Sequence, residues 1–184
     1  MSCCIEKKKE KKGGQKGEEE RRTNLVASNW FLTELMKTFP PGPKARVFSS
    51  DELSKQQVNR TPFVYIVNFS PAGEEGTHFV ALVRRSVGKL WYIDPLNKYR
   101  HPTNDIPNFL AAHRQKYGTE IVKINRAIQS ELSHQCGYFA LFYCYLGSPH
   151  LRQLKLQPFS KRNLMKNDCI VLENLSAIFE TYLL

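Results

Sequence analysis

The stretch that decides the fold is residues 128–145, I-Q-S-E-L-S-H-Q-C-G-Y-F-A-L-F-Y-C-Y. A polar run ends at Cys136 and Gly137, and an unbroken apolar run follows. Because the apolar part is hydrophobic on every face, it predicts a helix buried in the core. Cys136 then falls in the first turn, where free backbone N–H groups and the helix dipole favour an anion. A thiol there loses its proton more readily, and the thiolate is the nucleophile. Most free cysteines are simply small buried residues, so this stretch alone leaves both interpretations open.

Length and composition predict a globular protein with a substantial core. The chain has 184 residues, of which 41% are hydrophobic and 11% aromatic, and this composition excludes a wholly disordered chain. No apolar run approaches the ~20 residues of a membrane span, and the start has no signal-peptide core, so we expect an intracellular protein. The five cysteines are odd in number and lack metal-like or framework spacing, which agrees with a reducing compartment and no metal site.

The charge of the chain suggests an acidic partner. The formal net charge is +10, and the first 22 residues hold eight basic and five acidic side chains, a net +3, which leaves +7 for the remainder. A basic globular surface most often meets nucleic acid, although it can equally serve solubility. None of the usual nucleic-acid-reading motifs is present. Binding to DNA would therefore be directed at the phosphate backbone, salt-sensitive and largely non-specific.

The chain divides into a tail and one domain. Residues 1–22 are rich in Lys, Glu and Gly and have few apolar side chains to bury, so they are predicted to be a disordered charged tail. Residues 23–184 are predicted to form a single domain. The tail is open to three interpretations: a nuclear-import signal, an electrostatic tether or a solvated segment. Cys3 and Cys4 beside the lysines also allow an acylated membrane anchor.

The predicted elements indicate an α+β fold. Three β-rich runs at residues 63–69, 77–85 and 90–94 are separated by short turns, which predicts an antiparallel meander, and residues 119–126 add a further strand. The predicted helices, besides the buried one at Cys136, are residues 30–39, a short helix from Ser50, a helix from Asn104 or Asp105 to Tyr117, and a final helix from Asn167 or Asp168 to the end. We therefore expect a central, mostly antiparallel sheet flanked by helices.

Two side chains on the predicted meander complete a possible catalytic group. His78 lies near the start of one strand, and Asp94 ends the next. Neighbouring antiparallel strands joined by a short turn bring the start of the first beside the end of the second, so His78 and Asp94 are predicted neighbours, like a base and its orienting acid. Gln129 lies in the loop that leads to Cys136, where its amide could join the Cys136 N–H in an oxyanion hole. Taken singly, each of these residues is more often structural; their order and placement agree jointly.

The remaining histidines and cysteines rank lower. His134 is too close in sequence to Cys136 to act as its base without unusual geometry. His101, His113 and His150 have no partner at a suggestive spacing, and Cys144 is predicted to be a core residue.

Three quoted phrases resemble a known family. These are I-V-N-F-S-P-A-G-E-E-G-T-H-F, W-Y-I-D-P-L and Q-S-E-L-S-H-Q-C-G-Y-F, and they look like the adenain family, the adenovirus-type cysteine proteases. Adenain is grouped with the SUMO- and ubiquitin-like-processing proteases, which share the order His, acid, Gln, Cys. The similarity covers roughly residues 62–144, with a weaker echo at Asn29 and Trp30. It implies a papain-like cysteine protease fold of the adenain type.

The resemblance also implies roles and partners. His78 is the general base, Asp94 orients it, Gln129 lines the oxyanion hole and Cys136 is the nucleophile. The activity implied is that of a monomeric endopeptidase that cleaves viral precursor proteins after Gly-containing sites, in the host nucleus or virion. No cofactor is needed for the chemistry, although DNA and a short peptide would be activators.

The sequence departs from adenain in ways that keep other functions open. The acid is Asp94, as in the ubiquitin-like-processing branch, where adenain has Glu. Phe79 follows the histidine where much of the group has Trp, and the segment between Asp94 and Gln129 is short. The alternatives are a SUMO- or ubiquitin-specific isopeptidase, an acyltransferase with the same catalytic order, and a non-catalytic, basic nucleic-acid-binding protein.

Overall fold

The computed structural model describes residues 27–38, 44–58, 61–74, 76–86, 88–97, 101–147 and 159–179. The elements, in chain order, are α1 (Asn29–Lys37), β1 (Lys44–Ser49), α2 (Ser50–Ser54), β2 (Phe63–Asn68), β3 (Phe79–Ser86), β4 (Lys89–Ile93), α3 (Asp105–Tyr117), β5 (Glu120–Lys123), α4 (Cys136–Leu146) and α5 (Leu164–Ile178). The predicted tail, residues 1–22, lies outside the described residues.

The sheet is mixed, with strand order β1-β2-β3-β4-β5. The predicted meander is confirmed, because β2 pairs antiparallel with β3 and β3 with β4. The expectation of a mostly antiparallel sheet is wrong at both edges, since β1 pairs parallel with β2 and β4 with β5. In each of these pairs a helix, α2 or α3, lies between the two strands in the chain, and such a crossover connects parallel neighbours. The α+β class itself is confirmed.

Strand β1 was not predicted from the sequence. Its residues, K-A-R-V-F-S, alternate between exposed and half-buried positions before becoming buried at Phe48. That alternation is typical of an edge strand. A run of only six residues directly after a proline-rich segment gives only a weak sequence signal for a strand, however. β5 is also shorter than the predicted strand at residues 119–126.

Capping side chains and backbone geometry set the helix ends. The Ser28 side chain accepts a hydrogen bond from Phe31 N at 3.1 Å and starts α1. α3 ends at Gly118, which has a left-handed φ of +62° and donates to Arg114 O at 2.9 Å, as the sequence predicts. α5 begins at Leu164, earlier than the predicted Asn167 or Asp168, because the Asn163 side chain accepts from Lys166 N at 2.9 Å. Within the described ranges, no helix combines the length and apolar character needed to span a membrane.

The sheet separates two apolar clusters. Val64 and Ile66 of β2 pack on the side of α1, α4 and α5, whereas Phe63, Tyr65 and Val67 pack on the side of α2 and α3. This alternation follows from the two-residue period of a strand, and both faces of β2 are buried. The helix predicted to be buried is confirmed, because residues 137–144 of α4 are all buried. Burial of each large apolar side chain contributes about 1.5–3 kcal/mol to the stability of the fold. The packing of α4 therefore holds Cys136, its first residue, in a fixed position.

Candidate active site

Cys136 occupies the first position of α4 and is partly exposed. The start of α4 packs closely against Ala27, since a Cβ at Gly137 would lie 2.6 Å from the Ala27 Cβ. Gln135 precedes the helix, and its side chain makes no capping hydrogen bond. The first-turn N–H groups of α4 are therefore not occupied by this cap, and they favour negative charge at the sulfur or on a bound oxygen.

His78 and Asp94 form a buried hydrogen-bonded pair. The strand register pairs Ala81, near the start of β3, with Ile93, the last residue of β4, so His78 just before β3 and Asp94 just after β4 come to the same end of the two strands. His78 Nε2 lies 2.7 Å from Asp94 Oδ1, and the side chains are 7% and 3% exposed. The predicted proximity of these two residues is confirmed.

Local hydrogen bonds fix the acid. Asp94 Oδ1 also accepts from Leu96 N at 3.0 Å, and the Asp94 carbonyl accepts from Asn97 N at 3.0 Å in the turn that follows β4. An aspartate that bonds the backbone two residues on is typical of such turns. The carboxylate is thus held from its own backbone as well as by the imidazole.

The second ring nitrogen of His78 is left for Cys136. His78 Nδ1 is buried and has no hydrogen-bond partner within the described part of the chain, and Cys136 lies close enough to affect the titration of the ring. Burial alone would lower the pKa of His78, but the hydrogen bond to Asp94 and the proximity of Asp94 and Cys136 outweigh it and raise the pKa to about 9. The ring of Phe69 packs edge-on against the imidazole, with the centroids 4.9 Å apart. Asp94 therefore bonds one nitrogen of the imidazole, the other nitrogen is unpaired among the described residues, and Cys136 lies nearby.

Gln129 lies in the loop between β5 and α4 and is only 1% exposed. Its backbone N–H donates to Pro95 O at 3.0 Å, which joins this loop to the turn after Asp94. Its side-chain Nε2 donates to Ser133 O at 2.9 Å. An amide nitrogen carries two hydrogens, so one donor remains for a bound oxygen. Within the described part of the chain, the hydrogen bonds of Gln129 go to Pro95 and Ser133, and none goes to Cys136. Its part in an oxyanion hole therefore stays a prediction.

The structure places His101 near the candidate site, on the ring of Phe69 that packs against His78, and the sequence did not indicate this. The ring of His101 lies 4.9 Å from that of Phe69, and its Nε2 is 3.4 Å from the Tyr92 hydroxyl. Burial lowers the pKa of His101, against the attraction of Asp94. Spacing along the chain gives no signal for this residue, because Phe69 follows β2 and Tyr92 lies on β4, and the two are far apart in the sequence.

His113 is a structural residue, fully buried against the sheet. Its Nδ1 lies 2.8 Å from Arg84 Nη1, and its ring lies 4.8 Å from that of Phe109. Burial first, and then the positive charges of Arg84 and Lys116, lower the pKa of His113 to about 4. The ring is therefore neutral at pH 7 and is an acceptor for the buried guanidinium.

Cys144, predicted to be a core residue, is buried, and its Sγ lies 3.5 Å from the Tyr65 carbonyl oxygen. His134 lies in the loop just before Cys136, and His150 falls outside the described residues.

Comparison with known proteins gives limited additional information. No family model matches the chain, and no curated protein matches it. A solved structure, that of ChlaDub1 from Chlamydia trachomatis, is similar to 89% of this chain and 81% of its own, with 14% identity and a TM-score of 0.40. A likeness at that level carries no argument about activity. The adenain resemblance therefore rests on the quoted sequence phrases alone.

Proposed function

We propose that the protein is a cysteine peptidase with Cys136 as its nucleophile. The observation that supports this best is the buried His78 ring, which bonds Asp94 through Nε2, has an unpaired Nδ1 within the described part of the chain, and lies near Cys136. A nucleophile, a base and a group that orients the base are the parts that thiol-dependent acyl transfer requires.

The proposed reaction proceeds in two stages. The Cys136 thiolate attacks the substrate carbonyl, and the Cys136 N–H and the Gln129 amide hold the oxygen that becomes negative. The His78 imidazolium then protonates the leaving amine as the C–N bond breaks, which leaves a thioester on Cys136. In the second stage His78 removes a proton from water, which attacks the thioester and releases the acid and the Cys136 thiolate, so that the imidazolium and thiolate are restored. With its pKa raised to about 9, His78 is protonated at neutral pH and ready for the first stage.

Two substrate classes fit this chemistry. The resemblance to adenain favours an endopeptidase that cleaves precursor proteins after Gly-containing sites. The identity of the acid, Asp94, favours the second class, in which SUMO or ubiquitin is removed from a conjugate. No family model and no curated protein matches the chain, so the comparisons give the viral substrate no support. In both classes the carbonyl that is attacked belongs to a small residue such as glycine, so Gly-Gly substrates test the chemistry common to them.

The test compares cleavage of a fluorogenic Gly-Gly peptide by the wild type, Cys136→Ala and Cys169→Ala. Cys169 is a half-exposed thiol on α5 and serves as the matched control. We expect activity in the wild type and the control and none in Cys136→Ala; full activity in Cys136→Ala would contradict the proposal. A ubiquitin or SUMO probe with a reactive C-terminus separates the substrate classes, since an adenain-type enzyme that ignores such tails is not labelled.

Activation by DNA and a peptide is proposed from the resemblance only. Basic side chains do surround the clefts beside β1, namely Lys37, Lys44, Arg46 and Lys55. The non-catalytic alternative, a basic DNA-binding protein, predicts that iodoacetamide labels Cys136 no faster than an ordinary thiol. Salt-dependent DNA binding alone does not separate the two functions, because the peptidase allows it as well.

A further inference from the structure

The loop that carries Gln129 is tied to the start of α5. Asn167, which is fully buried, donates from Nδ2 to Ile128 O at 2.8 Å and to Ser160 O at 2.9 Å, and its Oδ1 accepts from Ser160 N at 2.6 Å. The bond to Ile128 spans 39 residues, whereas the two to Ser160 span seven and lie within the segment that leads into α5. One buried amide thus fastens the segment just before Gln129 to the segment that leads into α5.

The next residue, Asp168, holds the loop on the other side of Gln129. Its Oδ1 accepts from Ser130 N at 3.3 Å. The Ser130 carbonyl accepts from the backbone N–H of Ser133 at 3.1 Å and from its side chain at 3.2 Å. The carbonyl of Ser133 in turn accepts from Gln129 Nε2 at 2.9 Å. A continuous path of bonds therefore runs from Asp168 through Ser130 and Ser133 to the amide of Gln129.

Keeping a carboxylate at this position has an energetic cost. Asp168 is half-buried, and burial raises its pKa to about 6 although the hydrogen bond from Ser130 N acts to lower it. No basic side chain forms an ion pair with it within the described part of the chain. Ionisable groups held in such unfavourable surroundings are frequent at functional sites. The residue that carries this unfavourable charge, Asp168, is the one whose hydrogen bonds lead to Gln129.

We propose that Asp168 is a positioning residue for this site: its carboxylate holds the turn at residues 130–133 so that the Gln129 amide keeps one orientation. This inference rests on the proposed peptidase function. Asp168 touches neither the substrate carbonyl nor the sulfur; it acts through Ser130 and Ser133. The expected consequence is a catalytic defect without a binding defect, since an oxyanion donor is needed most when charge develops on the oxygen.

The first experiment compares Asp168→Ala, Asp168→Asn and a control, Glu173→Ala, which removes an exposed carboxylate from the same helix. With a Gly-Gly peptide, Asp168→Ala should lower kcat about tenfold, a part of the 10²–10³ that a lost oxyanion donor costs, and leave KM within about twofold. Asp168→Asn should restore most of kcat, because its amide oxygen can accept the same N–H of Ser130. Alkylation of Cys136 by iodoacetamide forms no oxyanion and should be unchanged in all three variants.

The second experiment needs no substrate. Hydrogen exchange over residues 128–135 should be faster in Asp168→Ala than in the wild type and unchanged in Glu173→Ala. Unchanged exchange or unchanged kcat in Asp168→Ala would overturn the inference, as would equal losses of kcat and alkylation, which indicate a general structural defect. If exchange responds but the wild type cleaves no peptide, the anchoring role stands and the proposed function fails.

Discussion

Asp94→Asn removes one negative charge from the site and keeps its shape. Asp94 Oδ1 accepts hydrogen bonds from both His78 Nε2 and Leu96 N. An asparagine can accept both with its single amide oxygen, so the variant separates the effect of the charge from the effect of the hydrogen bonds.

The size of the effect follows from the pKa of His78. That pKa is about 9, against an ordinary value of 6.5, and the difference corresponds to about 3 kcal/mol in favour of the protonated ring. It is the balance of burial, which lowers the pKa, and of Asp94 and Cys136, which raise it. Without the charge of Asp94, burial counts for more, and we expect the pKa of His78 to fall by about 2 units.

The same shift fixes the sign of the effect on stability. Because the folded-state pKa of His78 is raised, its contribution to the free energy of unfolding is fully present below pH 6.5 and is lost as the pH rises through about 9. Asp94→Asn should therefore be less stable than the wild type by about 3 kcal/mol at pH 6, and the difference should vanish above pH 9.

Histidine-ring NMR and the pH dependence of kcat/KM measure these effects. In the wild type, kcat/KM should fall above pH 9 as His78 loses its proton; in Asp94→Asn the fall should start near pH 7, and activity at pH 8 should be about tenfold lower. Asp105→Asn, which removes the same charge at the start of α3, is the control and should match the wild type. If His78 titrates at the same pH with and without the Asp94 charge, the electrostatic argument is refuted.

Three further predictions concern packing and titration. Gly137→Ala should destabilise the fold by about 1–3 kcal/mol in urea unfolding and slow alkylation of the site thiol, because the new Cβ would lie 2.6 Å from that of Ala27; an unchanged midpoint would contradict the close packing. The neutral His113 stabilises the fold above pH 6.5 and loses that contribution as the pH falls towards 4. In His113→Asn, whose side chain can still accept from Arg84, the loss of stability between pH 7 and 4.5 should shrink by on the order of 1 kcal/mol, and an equal loss in both proteins would rule out His113 as its source. Burial raises the pKa of Cys144, so this thiol should react with iodoacetamide only after denaturation; labelling in the folded protein would show that it is accessible.

Local patterns in the sequence were sufficient to predict those parts of the site that depend on residues close together in the chain. The uniform hydrophobicity after Cys136 identified α4, because a helix that is apolar all round can only be buried. The proximity of His78 and Asp94 followed from two strands joined by a short turn, since such a connection leaves one antiparallel geometry. The catalytic roles assigned to these residues and to Gln129 remain predictions.

Long-range packing decided what the sequence did not show. The sequence determined the central meander and the buried helix by itself, because turn length and hydrophobic periodicity are properties of neighbouring residues. Only the tertiary structure made the outer strand pairs parallel, through the helices that cross between them. Only the tertiary structure, too, brought Asp168 within reach of Ser130, 38 residues earlier, and buried His78 enough for its pKa to depend on its partners. Such contacts are chosen by the packing of whole elements, and no short segment of the chain encodes them.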